Sequence, residues 1–309
     1  MKSRLVLWAV ATAVLLALPP FLLAIGQPFY VDLMRRIMIL AIAAVSLNLI
    51  LGYGGMVSFG HAAYIGIGAY AVGILGFYGH FNGGLHFLVA IAASALVALA
   101  IGAVSIRTSG VYFIMITLAF TQMLYYLGIS VAEFGGDDGM RLKRRSELPF
   151  VDLNDPVQFY YVALVLMLLS VFLVYRIVNS RFGMVLRAAK SNEARSRAIG
   201  FSPYPYRLAA FVIAGAMCGL AGALYGNHTN YITPGLMSWQ QSGDIMFMVI
   251  LGGMASTAGP VLGAFALLLF EDLLSGWTQH WQVILGPLLV LSVIFFRRGL
   301  AGIFYKPDA

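Results

Sequence analysis

The sequence predicts an all-α fold, a polytopic transmembrane bundle of about ten segments with short broken or re-entrant helices among them. Three observations predict it. Of 309 residues, 61% are hydrophobic and 10% charged, and mean hydropathy is +0.89, far from an ordinary soluble domain. The apolar residues gather in long blocks, and about 20 such residues span the hydrocarbon core of a bilayer. The basic residues lie between those blocks, where the positive-inside rule puts them. That placement accounts for the net charge of +7 without a nucleic-acid partner.

In chain order the blocks are Leu5–Ile25, Ile37–Leu51, Ala62–Tyr78, Phe87–Ile106, Val111–Ile129, Val157–Val178, Leu208–Gly226, Ile245–Ala255, Val261–Leu274 and Val283–Phe296. The first follows Met1-Lys2-Ser3-Arg4 in the manner of a signal peptide. Apolar sequence resumes after Pro19-Pro20, however, and no small-residue cleavage site is evident. It is expected to persist as a first span, kinked at the prolines. Residues 1–36 then read as an N-terminal helix and linker, 37–300 as the main transmembrane domain, and 301–309 as a cytoplasmic tail. Cys218 stands alone within an apolar helix, so it reads as a packing residue, with neither a disulfide framework nor a thiol metal cluster.

Orientation follows from Arg176, Arg181, Arg187, Lys190, Arg195, Arg197 and Arg207, set against Glu193 alone, which make this stretch cytoplasmic. Lys2 and Arg4 place the N-terminus, and Arg297, Arg298 and Lys306 the C-terminus, on the same side. Ten spans satisfy all three. Arg35, Arg36 and the cluster Arg141, Lys143, Arg144 and Arg145 then face outward, against the rule.

Two short blocks end in glycines. Leu47-Asn48-Leu49-Ile50-Leu51-Gly52-Tyr53-Gly54-Gly55-Met56-Val57-Ser58-Phe59-Gly60-His61 leaves one apolar segment and enters the next through residues that break helices. A membrane cannot hydrogen-bond loose backbone, so irregular chain at that depth must be buried in protein or line an aqueous cavity. Interrupted, glycine-rich segments of this kind point to a transport site. Ile250-Leu251-Gly252-Gly253-Met254 with Gly259-Pro260 echoes the pattern, as in a transporter repeat. Small residues at Gly66, Ala69–Ala71 and Gly73, and at Gly215, Gly219 and Gly222, read as helix-packing surfaces.

The largest cytoplasmic insert, 179–206, has its own local grammar. Asn179-Ser180 caps a helix running to Lys190, Ser191-Asn192 caps a second over Glu193–Ile199, and Gly200 sits where a left-handed helix end is favoured. Ser202-Pro203 opens the next span. Ala194 and Ala198 give the second helix a smooth face that another protein can grip; an amphipathic helix lying on anionic lipid is the rival reading. No lysine of the chain follows the spacing G-x-x-x-x-G-K-[ST] of a phosphate-binding loop. If transport uses ATP, the motor is therefore another polypeptide.

These pieces resemble a known family, the branched-chain amino-acid ABC transporter permeases, specifically the LivM-type subunit. The resemblance runs from about Ile37 to Leu300. It rests on Leu47-Asn48-Leu49 through Gly60-His61-Ala62-Ala63, Gly66-Ile67-Gly68-Ala69-Tyr70, Thr108-Ser109-Gly110-Val111-Tyr112-Phe113 and Gly135-Gly136-Asp137-Asp138-Gly139. Further along it rests on Arg181-Phe182-Gly183, Gly219-Leu220-Ala221-Gly222, Val249-Ile250-Leu251-Gly252-Gly253-Met254 and Gly259-Pro260-Val261-Leu262-Gly263-Ala264. It implies a second, related permease subunit, two cytoplasmic ATPase subunits that carry the ATP, and a periplasmic solute-binding protein, all in the bacterial inner membrane or at its faces. It implies no cofactor or metal in this chain. It also places Glu193-Ala194 and Gly200 in the ATPase-coupling loop, with Glu193 and Gly200 one residue further apart than in the EAA-x-x-x-G pattern of ABC permeases; Arg187, Arg197 and Ala198 are expected to share that coupling surface.

The expected translocation path is Asn48, Gly52, Gly54, Gly55, Ser58 and His61, with Thr117, Thr121 and Gln122 as a polar stripe and Gly252 and Gly253 from the second break. Freed amides at a half-helix end can meet a carboxylate. Asp137, Asp138 and Asp244 are expected at the outer mouth or the binding-protein surface, and Glu271 and Asp272 near a helix end. Two rival readings are an intramembrane serine hydrolase using Ser58 with His61 or His228, and a channel or ion-driven carrier that needs no ATPase. Amides such as urea, or small aromatic acids, compete with branched-chain amino acids as the solute.

Overall fold

A computed structural model of the chain describes residues 2–149, 151–278, 280–295 and 299–304. The basic residues expected to mark the C-terminal side, Arg297, Arg298 and Lys306, and the tail residues 305–309 lie outside the described residues. The described chain is helical almost throughout. Its helices are α1 (Lys2–Ala24), α2 (Pro28–Asn48), α3 (His61–Phe77), α4 (Gly83–Ser105), α5 (Val111–Ser130), α6 (Pro156–Val178), α7 (Arg181–Ser191), α8 (Glu193–Ala198), α9 (Pro203–Thr229), α10 (Trp239–Gly252), α11 (Gly259–Trp277), α12 (Trp281–Phe295) and the single turn α13 (Ala301–Phe304). A two-residue ribbon pairs β1 (Met140–Arg141) with β2 (Tyr231–Ile232) in antiparallel register. Among the described residues, six helices are long and apolar enough to cross a membrane: α2 with the turn that extends it to Tyr53, α4, α5, α6, α9 and α11. Residues Thr12–Ala24 of α1 and all of α3 are shorter apolar helices. The protein is thus all-α and multi-pass.

The expected boundary at residue 36 falls inside α2, and this corrects the sequence reading. Arg35 and Arg36 interrupt the apolar run, yet the helix passes straight through them because both guanidiniums find partners. Arg35 pairs with Asp32 one turn earlier and stacks 5.3 Å from the Phe159 ring centroid. Arg36 reaches Glu271 at 3.2 Å. Helix α1 likewise runs on through Pro19 and Pro20.

Helix α2 is the axis of the molecule. It is apolar on every side from Ile37 to Val45, as an enclosed helix is expected to be, and 94% of its most apolar window is buried, against 17% for α5. Helices α6, α9, α10 and α11 surround it. Lipid tails are as apolar as leucine, so close backbone approach, rather than exclusion of water, binds helices here. The small residues of α3, α4 and α9 provide that approach. A Cβ at Gly68 would lie 2.0 Å from the Gly219 carbonyl oxygen, and one at Gly222 the same distance from that of Ile65.

Contacts sort the helix ends into two groups. At one end Lys190 meets Gly52, Tyr204 meets Ala103, and Leu300 meets Leu251. At the other, Tyr160 meets Leu15, Arg36 meets Glu271, and Arg145 meets Asn230 beside the β1–β2 ribbon. The chain therefore shuttles between two faces, with α7 and α8 on the Lys190 face.

Candidate functional site: the break between α2 and α3

Helix α2 does not end in a simple cap. Leu49–Tyr53 form a π-helical turn, a local widening often found at functional sites. Gly55 then turns the chain at φ +70°, a left-handed conformation that glycine adopts without strain. Residues 54–60 climb as irregular chain until α3 begins at His61. Depth can be read from α9. The Cys218 thiol donates to the His61 carbonyl at 3.3 Å, and Cys218 stands fifteen residues after Pro203 and eleven before Thr229. At 1.5 Å rise per residue that is about 22 Å from one helix end and about 17 Å from the other. Helix α3 therefore begins half-way through the bundle.

Irregular backbone at that depth needs partners, and several helices supply them. Thr117 on α5 accepts from the Phe59 amide at 3.3 Å, and Thr121 donates to the Phe59 carbonyl at 3.2 Å. Ser58 accepts from the Gly60 amide at 3.1 Å. Ser242, on the first turn of α10, accepts from the Ala62 amide at 3.0 Å. The N-termini of two oppositely directed helices, α3 and α10, thus meet at mid-depth, and the positive ends of their dipoles converge there.

The second glycine break lies directly against the first. The Asn48 side chain accepts from the Ala255 amide at 3.0 Å and donates to the Ser256 carbonyl at 2.9 Å, while Tyr53 and Thr257 hydroxyls approach to 3.5 Å. Gly253, at φ +114°, closes α10 before α11 starts at Gly259. The two echoed motifs are spatial neighbours.

Of the expected path residues, Asn48, Ser58, His61, Thr117 and Thr121 are all buried. Apart from His61, their polar side-chain atoms are engaged on backbone groups, so they hold the break in shape and do not face an open lumen in this chain. Gly52 and Gly54 are buried in the same turn, Gly55 is exposed, and Gln122 is half-buried on α5. Gly252 and Gly253 are buried in the facing turn. His61 packs edge-on to Tyr64, with ring centroids 5.7 Å apart, and neither ring nitrogen has a hydrogen-bond partner. Ser58 and His61 consequently form no nucleophile–base pair with each other. Sequence reasoning missed Ser242, 180 residues from its partner Ala62. No local signal marks it.

On the Lys190 face, the caps are those the sequence indicates. Ser180 accepts from the Gly183 amide, Asn192 from the Arg195 amide, and Gly200 has φ +90°. The Glu193 carboxylate, however, is taken up by its own chain. Arg197 donates to it at 2.5 Å and Arg207 of α9 at 2.7 Å, and Arg207 also donates to the Ala189 carbonyl at 3.2 Å. Partial burial raises the Glu193 pKa, but the two guanidiniums outweigh that and hold it below the ordinary value. Arg187, Ala194, Arg197, Ala198 and Gly200 are exposed, with Ile199 beside them at 65% exposure. In the sequence Arg207 and Lys190 count only as orientation and helix-end markers, with no bonding role assigned.

On the opposite face Asp137 and Asp138 occupy an exposed 3₁₀ turn, and the Tyr231 hydroxyl donates to the Asp138 backbone carbonyl. Cations dominate here. A cavity of about 650 Å³ is lined by Arg141, Lys143, Arg144, Arg145, Asn154 and Asn230 among others. Asp244, two residues after Ser242 on α10, lies near mid-depth and not on this face; it is exposed, with Arg36 and Glu271 as its charged neighbours.

A family model described as the permease component of branched-chain amino acid transport systems matches residues 29–293. The chain belongs to this family. The high-affinity branched-chain amino acid transport system permease protein LivM of Escherichia coli K12 is 28% identical over 95% of this chain and 74% of its own length. A probable LivM permease of Methanocaldococcus jannaschii is 26% identical over 86% of this chain and 88% of its own. The E. coli permease protein LivH is 28% identical over 45% of this chain and 44% of its own. Similarity to both LivM and LivH is what two permeases of common ancestry would give.

Proposed function

We propose that this chain is a permease subunit of a high-affinity ABC importer and forms half of the path for branched-chain amino acids. One observation carries the reading. A family permease holds irregular chain at mid-depth where two helix N-termini converge, an arrangement suited to the carboxylate of an amino acid. The other half of the path comes from a second, LivH-like permease. ATP is hydrolysed by two separate cytoplasmic subunits, and solute arrives from a periplasmic binding protein, all at the bacterial inner membrane. The Lys190 face is cytoplasmic, and the ribbon face with Asp137, Asp138 and the arginine-lined cavity is outer. Ten segments cross or enter the membrane, α1 to α6 and α9 to α12, with α3 and α10 as half-depth helices. The coupling surface is the exposed side of α8, Ala194, Arg197, Ala198 and Ile199, with Glu193 as its internal clasp.

The test is uptake by the complete importer in ATP-loaded vesicles, with labelled leucine and unlabelled competitors. Valine and isoleucine should compete, whereas urea and benzoate should not. Competition by urea or benzoate without competition by valine would replace the substrate assignment.

A further inference from the structure

We infer that Lys190 is the positioning residue through which the α7–α8 segment acts on the break. At the end of α2 the Gly55 amide bonds Leu51 and the Met56 amide bonds Ile50, so the irregular chain turns away without supplying a donor to Gly52. A carbonyl left open at a helix C-terminus needs another partner. Lys190 provides it from 138 residues away, its ammonium donating to the Gly52 carbonyl at 2.6 Å. The rest of the side chain is solvent-exposed on α7, but its stem lies along Gly55. A Cβ there would stand 2.8 Å from Lys190 Cγ, so the lysine fills the space a side chain at Gly55 would need. A cation is also the favoured group at this pole of a 26-residue helix.

A cap alone would account for the charge, but not for where the cap comes from. Lys190 sits on the last turn of α7, two residues before the Asn192 cap of α8. Ala189 beside it is bound by Arg207, which also holds Glu193. A shift of the exposed α8 face therefore moves Lys190 with it. Lys190 is bonded to the turn from which residues 54–60 rise to the α3 N-terminus. Displacement at the surface becomes gain or loss of one charge-assisted bond at the base of the hinge.

The inference rests on the importer reading, and two measurements on the purified complete assembly separate them. The first is solute moved per ATP hydrolysed for wild type, Lys190→Met and Lys190→Arg. Lys190→Met should leave subunit co-purification and ATP hydrolysis intact while the ratio falls at least about fivefold, the lower edge of ordinary coupling between sites. Lys190→Arg should recover much of it. The second is hydrogen exchange at the amides of residues 54–60, which needs no transport and should lose protection in Lys190→Met alone. An unchanged ratio in a wild-type-competent assembly would overturn the inference, as would unchanged protection in any assembly. A wild-type assembly without ATP-driven uptake would overturn the importer reading and leave the exchange result to decide on Lys190.

Discussion

Asn48 carries more of the break than any other side chain, because one amide group satisfies both a donor and an acceptor of the facing turn. Asn48→Leu would leave the Ala255 amide and the Ser256 carbonyl without that partner. We expect a loss of about 1–3 kcal/mol, read as a lower midpoint in detergent unfolding. A midpoint equal to wild type would mean that water replaces the side chain. Glu193 gives a pH-dependent counterpart. Its pKa is lowered in the folded chain, so its clasp contributes fully above the ordinary carboxylate value and is lost as pH falls through the folded one. Exchange protection of α8 amides should decline in that acidic window in wild type and stay flat in Glu193→Gln; parallel curves would deny the clasp. Asn48 stands out in the sequence as a lone amide in an apolar run. Ser242 and Lys190 do not, since their partners lie 180 and 138 residues away.

Helices meet here through missing side chains, which makes a simple contrast available. Gly68→Ala puts a methyl 2.0 Å from the Gly219 carbonyl oxygen, whereas Gly276→Ala on α11 meets nothing within 4 Å. The first should force α3 and α9 apart and lower stability by several kcal/mol, in the manner of overpacking at a close contact. The second should be neutral or stabilising by up to about 1 kcal/mol, from helix propensity. Equal thermal midpoints would refute the packing. Element positions were legible where the signal is local: apolar blocks, the Ser180 and Asn192 caps, and the two glycine breaks. The start of α2 was not. Arg35 and Arg36 look like a boundary until Asp32, Phe159 and Glu271 are placed beside them, and Glu271 is 235 residues away.

For the whole molecule, the two faces must lie on opposite sides of the membrane. In a Cys218→Ala background, a cysteine at Arg144 should react with an impermeant reagent from outside, and one at Arg195 only after the membrane is opened. Reaction of both from one side would invert or break the topology. The larger consequence concerns energy. On the function proposed above, the chain forms half of a path and depends on a partner permease and separate ATP-hydrolysing subunits to drive it. Solute uptake should therefore be compared in vesicles holding this chain alone and in vesicles holding the complete importer with internal ATP. The lone chain should be inert and the assembly active only with ATP, whereas uptake by the lone chain at a rate matching the assembly would contradict the proposed division of labour.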